Sequence, residues 1–189
     1  MAGTTFLLAT IAIAFAVELA RGALGNDTVL LSLGALPDSG QLLGQYWRFL
    51  SFGFLHADLC HFLFNVAFLL WVCPVVERRV GPIVLLSVFF AASVLSGVAI
   101  LLKHVVVPAA GTSLGASGGL FGLLGAALVL VYRIPPANPR LRRGLWLTLL
   151  GGIAFSVLPG VSMAGHVTGL LVGVLAALLV RLHVTSYLT

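Results

Sequence analysis

A serine and several histidines lie near the starts of apolar segments in this sequence, a pairing suited to nucleophilic catalysis. Ser117 stands in a run of small residues, and His166 begins another apolar stretch. A serine hydroxyl becomes a good nucleophile only when a base removes its proton. Histidine has suitable basicity near neutral pH, and the candidate bases are His56, His61 and His166. These residues predict acyl transfer to a serine.

The same segments contain donors for a negatively charged oxygen. Ser117 is predicted to open a helix, where the first backbone N–H groups have no partner within the helix. His61 and Asn65 are four residues apart and so share one helical face. Both side chains can donate hydrogen bonds to an oxyanion that forms during attack on a carbonyl carbon.

A carboxylate that could orient the histidine is hard to find. The only acids are Glu18, Asp27, Asp38, Asp58 and Glu77. Two of them lie between apolar segments, and Glu77 lies at the far end of the segment that contains His61 and Asn65. The sequence therefore predicts a Ser-His dyad rather than a triad. For Glu18, snorkelling or pairing between helices is favoured over a proton relay.

The elements that position these residues are predicted to lie in a membrane. Hydrophobic residues make up 60% of the 189-residue chain and charged residues only 8%. The mean hydropathy is +1.17. A soluble domain of this size needs far more charge on its surface. We therefore expect an all-α membrane protein, with residues 1–189 forming one domain.

Hydropathy predicts six transmembrane helices without an internal repeat. The predicted spans are approximately 4–24, 58–76, 82–103, 117–134, 144–158 and 164–182. The first span is interpreted as a retained helix rather than a signal peptide, because it lacks a basic n-region. The long first loop, 25–57, has apolar stretches too short to span, and it is predicted to lie at the membrane interface with Tyr46 and Trp47 as anchors.

The distribution of Lys and Arg predicts the orientation. If the N-terminus is cytoplasmic, seven of the ten basic residues fall on the inner side, which agrees with the positive-inside rule. The seven are Arg78, Arg79, Arg133, Arg140, Arg142, Arg143 and Arg181. Both termini are then cytoplasmic, and the polar clusters around His61, Ser117 and His166 share the outer leaflet. The net charge of +5 does not indicate nucleic acid, because the basic residues are scattered between apolar runs.

Glycines at four-residue spacing predict close packing of the fourth and sixth spans. Gly118 and Gly122 form one such stripe, and Gly165, Gly169 and Gly173 form the other. Small residues at this spacing let two helix backbones approach closely. Ser117 and His166 would then come within hydrogen-bond reach of each other.

Together these motifs resemble the rhomboid family of intramembrane proteases. The matching patterns are His56-x4-His61-x3-Asn65, Gly115-x-Ser117-Gly118 and His166-x2-Gly169-x3-Gly173, with Trp47-Arg48 and Glu77-Arg78 outside the site. The resemblance covers roughly residues 45–182, with every motif in the expected order. It implies a six-helix rhomboid bundle with an interfacial first loop.

The resemblance also implies a role for each site residue. Ser117 would be the nucleophile and His166 the general base, while His61, Asn65 and the Ser117 backbone N–H would form the oxyanion hole. The supporting residues would be His56, Gly115, Gly118, Phe121 and Gly169. The motif pairs at 47–48 and 77–78 would be structural.

The resemblance further implies the setting of the reaction. No metal and no cofactor are expected. Substrates would be single-span membrane proteins, cut in or near their outer portion. The chain itself would be a multi-pass protein of the plasma or inner membrane, and its oligomeric state is left open.

Two features depart from the family pattern. Phe121 stands where the family often has a tyrosine that stacks on the catalytic histidine, so stacking is expected without the hydroxyl. The loop before His166, residues 159–165, is short, and Gly165 stands where alanine is common. A smaller cap over the site is therefore expected.

Other functions fit the sequence less well. A metalloprotease would show His-Glu-x-x-His, and no Glu separates His56 from His61. A transporter would need a polar path to the inner leaflet, where the spans are apolar. An inactive rhomboid relative that binds membrane clients is the main alternative, although such proteins usually lack the serine or the histidine. His104 and His183 are expected to be interfacial and without function.

Overall fold

A computed structural model describes residues 1–134 and 138–180 of the chain. The described residues form seven α-helices, one short 3-10 helix and one two-stranded sheet. The elements are α1 Ala2–Ala20, α2 Asp27–Leu33, β1 Leu36–Pro37, α3 Arg48–Ser51, the 3-10 helix Phe52–Phe54, α4 Leu59–Val106, β2 Thr112–Ser113, α5 Ser117–Arg133, α6 Pro139–Phe155 and α7 Met163–Leu179. Arg181, His183 and the predicted end of the sixth span at Leu182 lie outside the described residues.

Helix α1 begins two residues before the predicted first span and ends four residues before its predicted end. The carboxylate of Glu77 accepts hydrogen bonds from the backbone N–H groups of Gly3 and Thr4, both at 2.9 Å. It also accepts one from the Thr4 hydroxyl at 2.5 Å. Helix N-termini leave such N–H groups without partners, and a carboxylate there also meets the positive end of the helix dipole. Glu77 therefore ties the start of α1 to α4, the structural role that was expected of it.

Helix α4 consists of two helical segments, 59–80 and 82–106, that meet at a kink. Gly81 has φ 81° and ψ 170°, a left-handed φ that favours glycine. Pro82 follows and starts the second segment, as the sequence predicts. The first segment runs on to residue 80 instead of ending near Val76, because helical φ/ψ continues past Pro74 and breaks only at Gly81. Asp58 caps its start by accepting from the His61 backbone N–H at 2.8 Å.

Helix α6 differs most from its predicted span, beginning five residues earlier and ending three residues earlier. Asn138 precedes the helix, and its side chain accepts from the Arg140 N–H at 2.8 Å. Pro139 occupies the first helical position, where its missing N–H costs nothing. Hydropathy alone places the start at Gly144, because the four residues before it include three arginines.

Helix α5 lies at the centre of the bundle, with residues 118–128 all buried. Gly169 of α7 lies directly against the Gly118 carbonyl, and Gly173 lies against the Gly122 carbonyl. A Cβ atom at either α7 position would overlap that carbonyl. The predicted close approach of the two glycine stripes is therefore confirmed.

By length and hydropathy, α1 and α4 can each cross a bilayer, while α5 and α7 are shorter apolar helices. At 17 residues, α5 is about 26 Å long, slightly less than the thickness of a typical hydrocarbon core.

The loop that joins α1 to α4 is folded around Arg48. The Arg48 guanidinium donates to the carbonyls of Leu31 and Ala35 at 2.6 and 2.7 Å and to the Gln45 side chain at 2.7 Å. It also stacks on the Trp47 ring, and partial burial lowers the pKa of its guanidinium. Arg48 therefore organises the loop, as the sequence predicts.

His104, near the C-terminal end of α4, is buried within the protein rather than exposed. Its Nε2 lies 3.3 Å from Oδ1 of Asp38 in the first loop. Folding of that loop over the helix end covers the ring.

Candidate active site

Ser117 and His166 come together where α5 and α7 begin. Oγ of Ser117 lies 2.8 Å from Nε2 of His166. Ser117 is the first residue of α5, and His166 is the fourth residue of α7. The glycine contacts between these helices bring the two side chains within hydrogen-bond distance. The pairing predicted from the sequence is thus present in the structure, with geometry suited to proton transfer from the hydroxyl to the imidazole.

The His166 ring is held on its face by Phe121. The two rings are stacked, with centroids 4.2 Å apart and planes 8° apart. His166 is only 5% exposed. The Ser96 hydroxyl donates at 2.7 Å to the carbonyl of Gly165, the residue before His166, and so connects α4 to the start of α7. The expected stacking on Phe121 is confirmed, and the histidine has little freedom to turn.

Ser156 is a further contact of the His166 ring, and the sequence reasoning missed it. Its Oγ lies 2.6 Å from Nδ1 of His166, on the side of the ring opposite Ser117. Ser156 follows α6 directly and is 2% exposed. The one available signal was a polar residue at the end of an apolar helix, separated from His166 by a short loop. None of the five acids, all within the described residues, hydrogen-bonds His166.

His61 and Asn65 lie in the first segment of α4 and line the same cavity as Ser117 and His166. The structure therefore brings these four predicted residues together. Asn65 is 3% exposed, and its amide Nδ2 has no hydrogen-bond partner among the described residues. Such an unpaired donor is costly in a protein interior. Nδ2 is thus available to an acceptor that enters the cavity.

Gly115 leaves room for the His61 ring beside Ser117. A Cβ at Gly115 would lie 2.8 Å from two atoms of the His61 ring, and the residue has φ 128°. Both observations explain why glycine stands here. At Gly118, a Cβ would instead meet the Ser96 side chain, so this glycine serves helix packing.

The cavity has a volume of about 820 Å³ and a largely apolar lining. Phe64 and Phe155, whose ring centroids lie 6.1 Å apart, line it between α4 and α6. It is large enough for several residues of an extended apolar peptide. Among the described residues, no cluster of three His, Cys, Asp or Glu side chains is placed to hold a metal ion.

His56 lies next to His61 and does not line the cavity that contains Ser117 and His166. It is fully buried, with its ring centroid 5.2 Å from that of His61. Its backbone N–H donates to the Glu18 carboxyl at 2.6 Å. Glu18 is also fully buried, so the expected snorkelling is wrong, and its hydrogen bond joins α1 to the first loop rather than to another helix. This contact fixes the end of the first loop against α1, just before the segment that carries His61.

The loop before Ser117 is fixed to the first loop, a connection that the sequence did not reveal. Strands β1 and β2 pair antiparallel, with Leu36 opposite Ser113. The Ser113 hydroxyl donates to Asp38 at 2.7 Å, and the Thr112 hydroxyl donates to Asp27 at 2.8 Å. The backbone that leads to Ser117 is therefore positioned by residues about 80 positions earlier in the chain.

The comparisons with known proteins agree on one family. The family model described as "Rhomboid domain" matches residues 43–183. A rhomboid protease GlpG of Serratia proteamaculans (strain 568) is 31% identical over 182 residues, which cover 90% of this chain and 60% of that protein. A rhomboid protease GlpG of Klebsiella pneumoniae (strain 342) is 33% identical over 184 residues, 94% of this chain and 64% of that protein.

A third relative is longer than the other two. The rhomboid protease GluP of Bacillus subtilis (strain 168) is 30% identical over 183 residues, which are 91% of this chain but 33% of that protein. The chain thus spans between one third and just under two thirds of the length of these relatives.

Proposed function

Because this chain belongs to the rhomboid family, whose members are integral membrane proteins, we propose that it is an intramembrane serine endopeptidase. The observation that carries the proposal is the 2.8 Å contact between Ser117 Oγ and His166 Nε2 at an apolar cavity of about 820 Å³. A nucleophile, a base and space for an apolar peptide are the parts that such a reaction needs.

In the proposed reaction, Ser117 Oγ attacks the carbonyl carbon of the scissile peptide bond. Nε2 of His166 takes the hydroxyl proton and then gives it to the leaving amine as the C–N bond breaks. A water molecule then attacks the acyl ester, and its proton passes to Nε2. Cleavage of the ester returns that proton to Ser117 and releases the carboxyl product.

Negative charge on the carbonyl oxygen needs donors that are in place before the reaction begins. We assign this role to the Ser117 backbone N–H, to His61 and to Nδ2 of Asn65. The unpaired amide of Asn65 and the position of His61 against Gly115 support the assignment. His56, Gly115, Gly118, Phe121 and Gly169 act as supports for the site.

The proposed setting follows the charge distribution. The chain forms a single domain over residues 1–189 with six membrane spans, and α4 supplies two of them. Both termini are cytoplasmic, and the site faces the outer leaflet of the plasma or inner membrane. The proposed substrates are membrane proteins with a single transmembrane segment.

The proposal is tested by comparing the wild-type protein with Ser117→Ala. The wild type should cleave a single-span model substrate in vesicles and react with a fluorophosphonate, while Ser117→Ala should do neither. Ser93→Ala is the control, because Ser93 is a serine of the same helical bundle that does not line the cavity. If the protein is instead an inactive rhomboid relative, the wild type, Ser117→Ala and Ser93→Ala should all bind the substrate without cutting it. Cleavage that persists in Ser117→Ala would show that Ser117 is not the nucleophile.

A further inference from the structure

We propose that Ser156 is a positioning residue for catalysis, acting with the Gly152 carbonyl in place of a triad carboxylate. This inference rests on the proposed protease function and deepens it. In hydrolases with a triad, the acid fixes the imidazole tautomer and stabilises the imidazolium that forms. In this chain the Nδ1 side of His166 faces a serine hydroxyl instead.

The hydroxyl of Ser156 has two close neighbours but only one proton. Its Oγ lies 2.6 Å from the Gly152 carbonyl oxygen and 2.6 Å from Nδ1 of His166. A carbonyl oxygen can only accept, so the Ser156 proton must lie between Oγ and Gly152. Two acceptors facing each other at that distance would repel. Oγ is therefore left as an acceptor toward the histidine.

The remaining contact then fixes the tautomer of the histidine. Since Ser156 Oγ accepts, Nδ1 of His166 must carry a proton and donate it. A neutral imidazole has one N–H, so Nε2 keeps its lone pair. Nε2 is the atom 2.8 Å from the Ser117 hydroxyl, and it is thus ready to accept that proton. Ser117 therefore donates a hydrogen bond to His166, His166 donates one to Ser156, and Ser156 donates one to the Gly152 carbonyl.

The same contacts favour the charged histidine that forms during attack. Gly152 lies in the last turn of α6, where helix carbonyls carry the partial negative charge of the helix dipole. Ser156 lies between this helix end and the ring. When Nε2 takes the Ser117 proton, the positive charge meets the Ser156 oxygen and, behind it, the Gly152 carbonyl. The dipole thus supplies part of what a carboxylate would supply.

The alternative interpretation is that Ser156 is an ordinary helix residue, since serine hydroxyls often bond to the carbonyl four positions earlier. That reading explains the Gly152 contact alone. It does not explain why the free lone pairs of a 2%-exposed oxygen face Nδ1 of a histidine whose other nitrogen contacts Ser117. The two interpretations predict different effects on the tautomer of the His166 ring, and this tautomer can be measured.

The first test needs no variant at Ser156. Wild-type protein with 15N-labelled histidine is studied by NMR at a pH where His166 is neutral, and the loss of signals in His166→Gln identifies that ring. We expect the tautomer with the proton on Nδ1. The tautomer with the proton on Nε2 would overturn the inference, because Ser156 would then be the donor.

The second test separates catalysis from packing. Ser156→Ala should lower kcat about ten- to a hundred-fold with KM unchanged, since it removes a contact that matters most when His166 is charged. The rate of fluorophosphonate labelling should fall in parallel. Ser156→Thr keeps the hydroxyl and should recover most of the rate. Ser93→Ala, which removes a hydroxyl of similar burial, should leave kcat unchanged.

Failure of this inference is distinguishable from failure of the proposed function. If the wild type cuts its substrate through Ser117 and Ser156→Ala cuts equally fast after correction for its folded fraction, only the role of Ser156 is overturned. If the wild type neither cuts nor labels, the protease function itself is overturned and the role of Ser156 with it.

Discussion

Asn65 buries an amide nitrogen that donates to no acceptor among the described residues. Leaving a buried donor unpaired costs about 1–3 kcal/mol, which supports the role proposed for Asn65. In the proposed reaction it donates to the oxyanion. Asn65→Ala should therefore lower kcat about ten- to a thousand-fold with little change in KM, since the contact forms only in the transition state.

The measurement for Asn65 pairs kinetics with thermal unfolding on one preparation. Because Nδ2 of Asn65 has no hydrogen-bond partner among the described residues, the substitution removes only side-chain packing, and Tm should change little. The backbone N–H and His61 remain, so slow fluorophosphonate labelling should persist, unlike in Ser117→Ala. Normal kcat with a lowered Tm would show that Asn65 only pairs helices.

The packing of α6 against the Phe121 ring explains why phenylalanine stands here instead of tyrosine. A Cβ placed at Gly152 would lie 2.6 Å from the Phe121 ring carbon to which a tyrosine hydroxyl would be attached. The end of α6 thus closes the space that the hydroxyl would need. Phe121→Tyr should lower the free energy of unfolding by about 1–3 kcal/mol, the usual effect of overpacking. Equal or higher stability in thermal unfolding would show that the space is open.

At the residue scale, sequence reasoning identified Ser117, His166, His61 and Asn65 because their types are rare in apolar segments and their spacing follows helical faces. It could not identify Ser156. A hydroxyl near a helix end usually bonds to its own helix, and only the direction in which α6 ends shows that this one meets an imidazole. The Asp38–Ser113 contact was hidden for a related reason, since pairing across loops has no periodic signal.

At the scale of elements, the approach of α5 to α7 depends on glycines that face carbonyl groups. Gly173→Ala should force the helices apart at the Gly122 carbonyl and lower the free energy of unfolding by about 3 kcal/mol or more. It should also reduce cleavage, since Ser117 and His166 are held together by this interface. Thermal unfolding and cleavage are measured on the same sample.

Gly151→Ala is the matched control for the glycine interface. Gly151 lies in α6, and a Cβ there would meet nothing within 4 Å. Alanine should stabilise this helix by about 0.5–1 kcal/mol, because it restricts the unfolded chain without a clash. If both substitutions had the same effect, helix propensity rather than interhelical contact would decide these positions.

Two boundaries of the elements followed from the sequence. Pro82 starts the second segment of α4, and Ser117 opens α5, as predicted. Hydropathy failed at the start of α6, where arginines stand inside a helix. It also gave the first loop no internal structure, because α2, α3 and β1 are held by Arg48 and by pairing with β2 rather than by long apolar runs.

At the scale of the whole molecule, the orientation in the membrane is predicted from the placement of Lys and Arg. Reporter fusions within residues 27–44 should report the outer side, and fusions after Leu182 should report the cytoplasm. The reason is the excess of arginine around residues 78–79 and 140–143, which is held on the inner side. The opposite result at both positions would place the catalytic pair in the inner leaflet.

The contacts of Gly169 and Gly173 with facing carbonyls have a consequence for genetics. Any base change in the first or second position of a glycine codon either adds a side chain or stops translation. At these two positions the smallest such change, to alanine, already meets backbone. A screen of random mutants for lost activity should therefore find these glycines as often as it finds Ser117. Positions at which substitution abolishes activity would then include the contacts between helices as well as the residues of the proposed reaction.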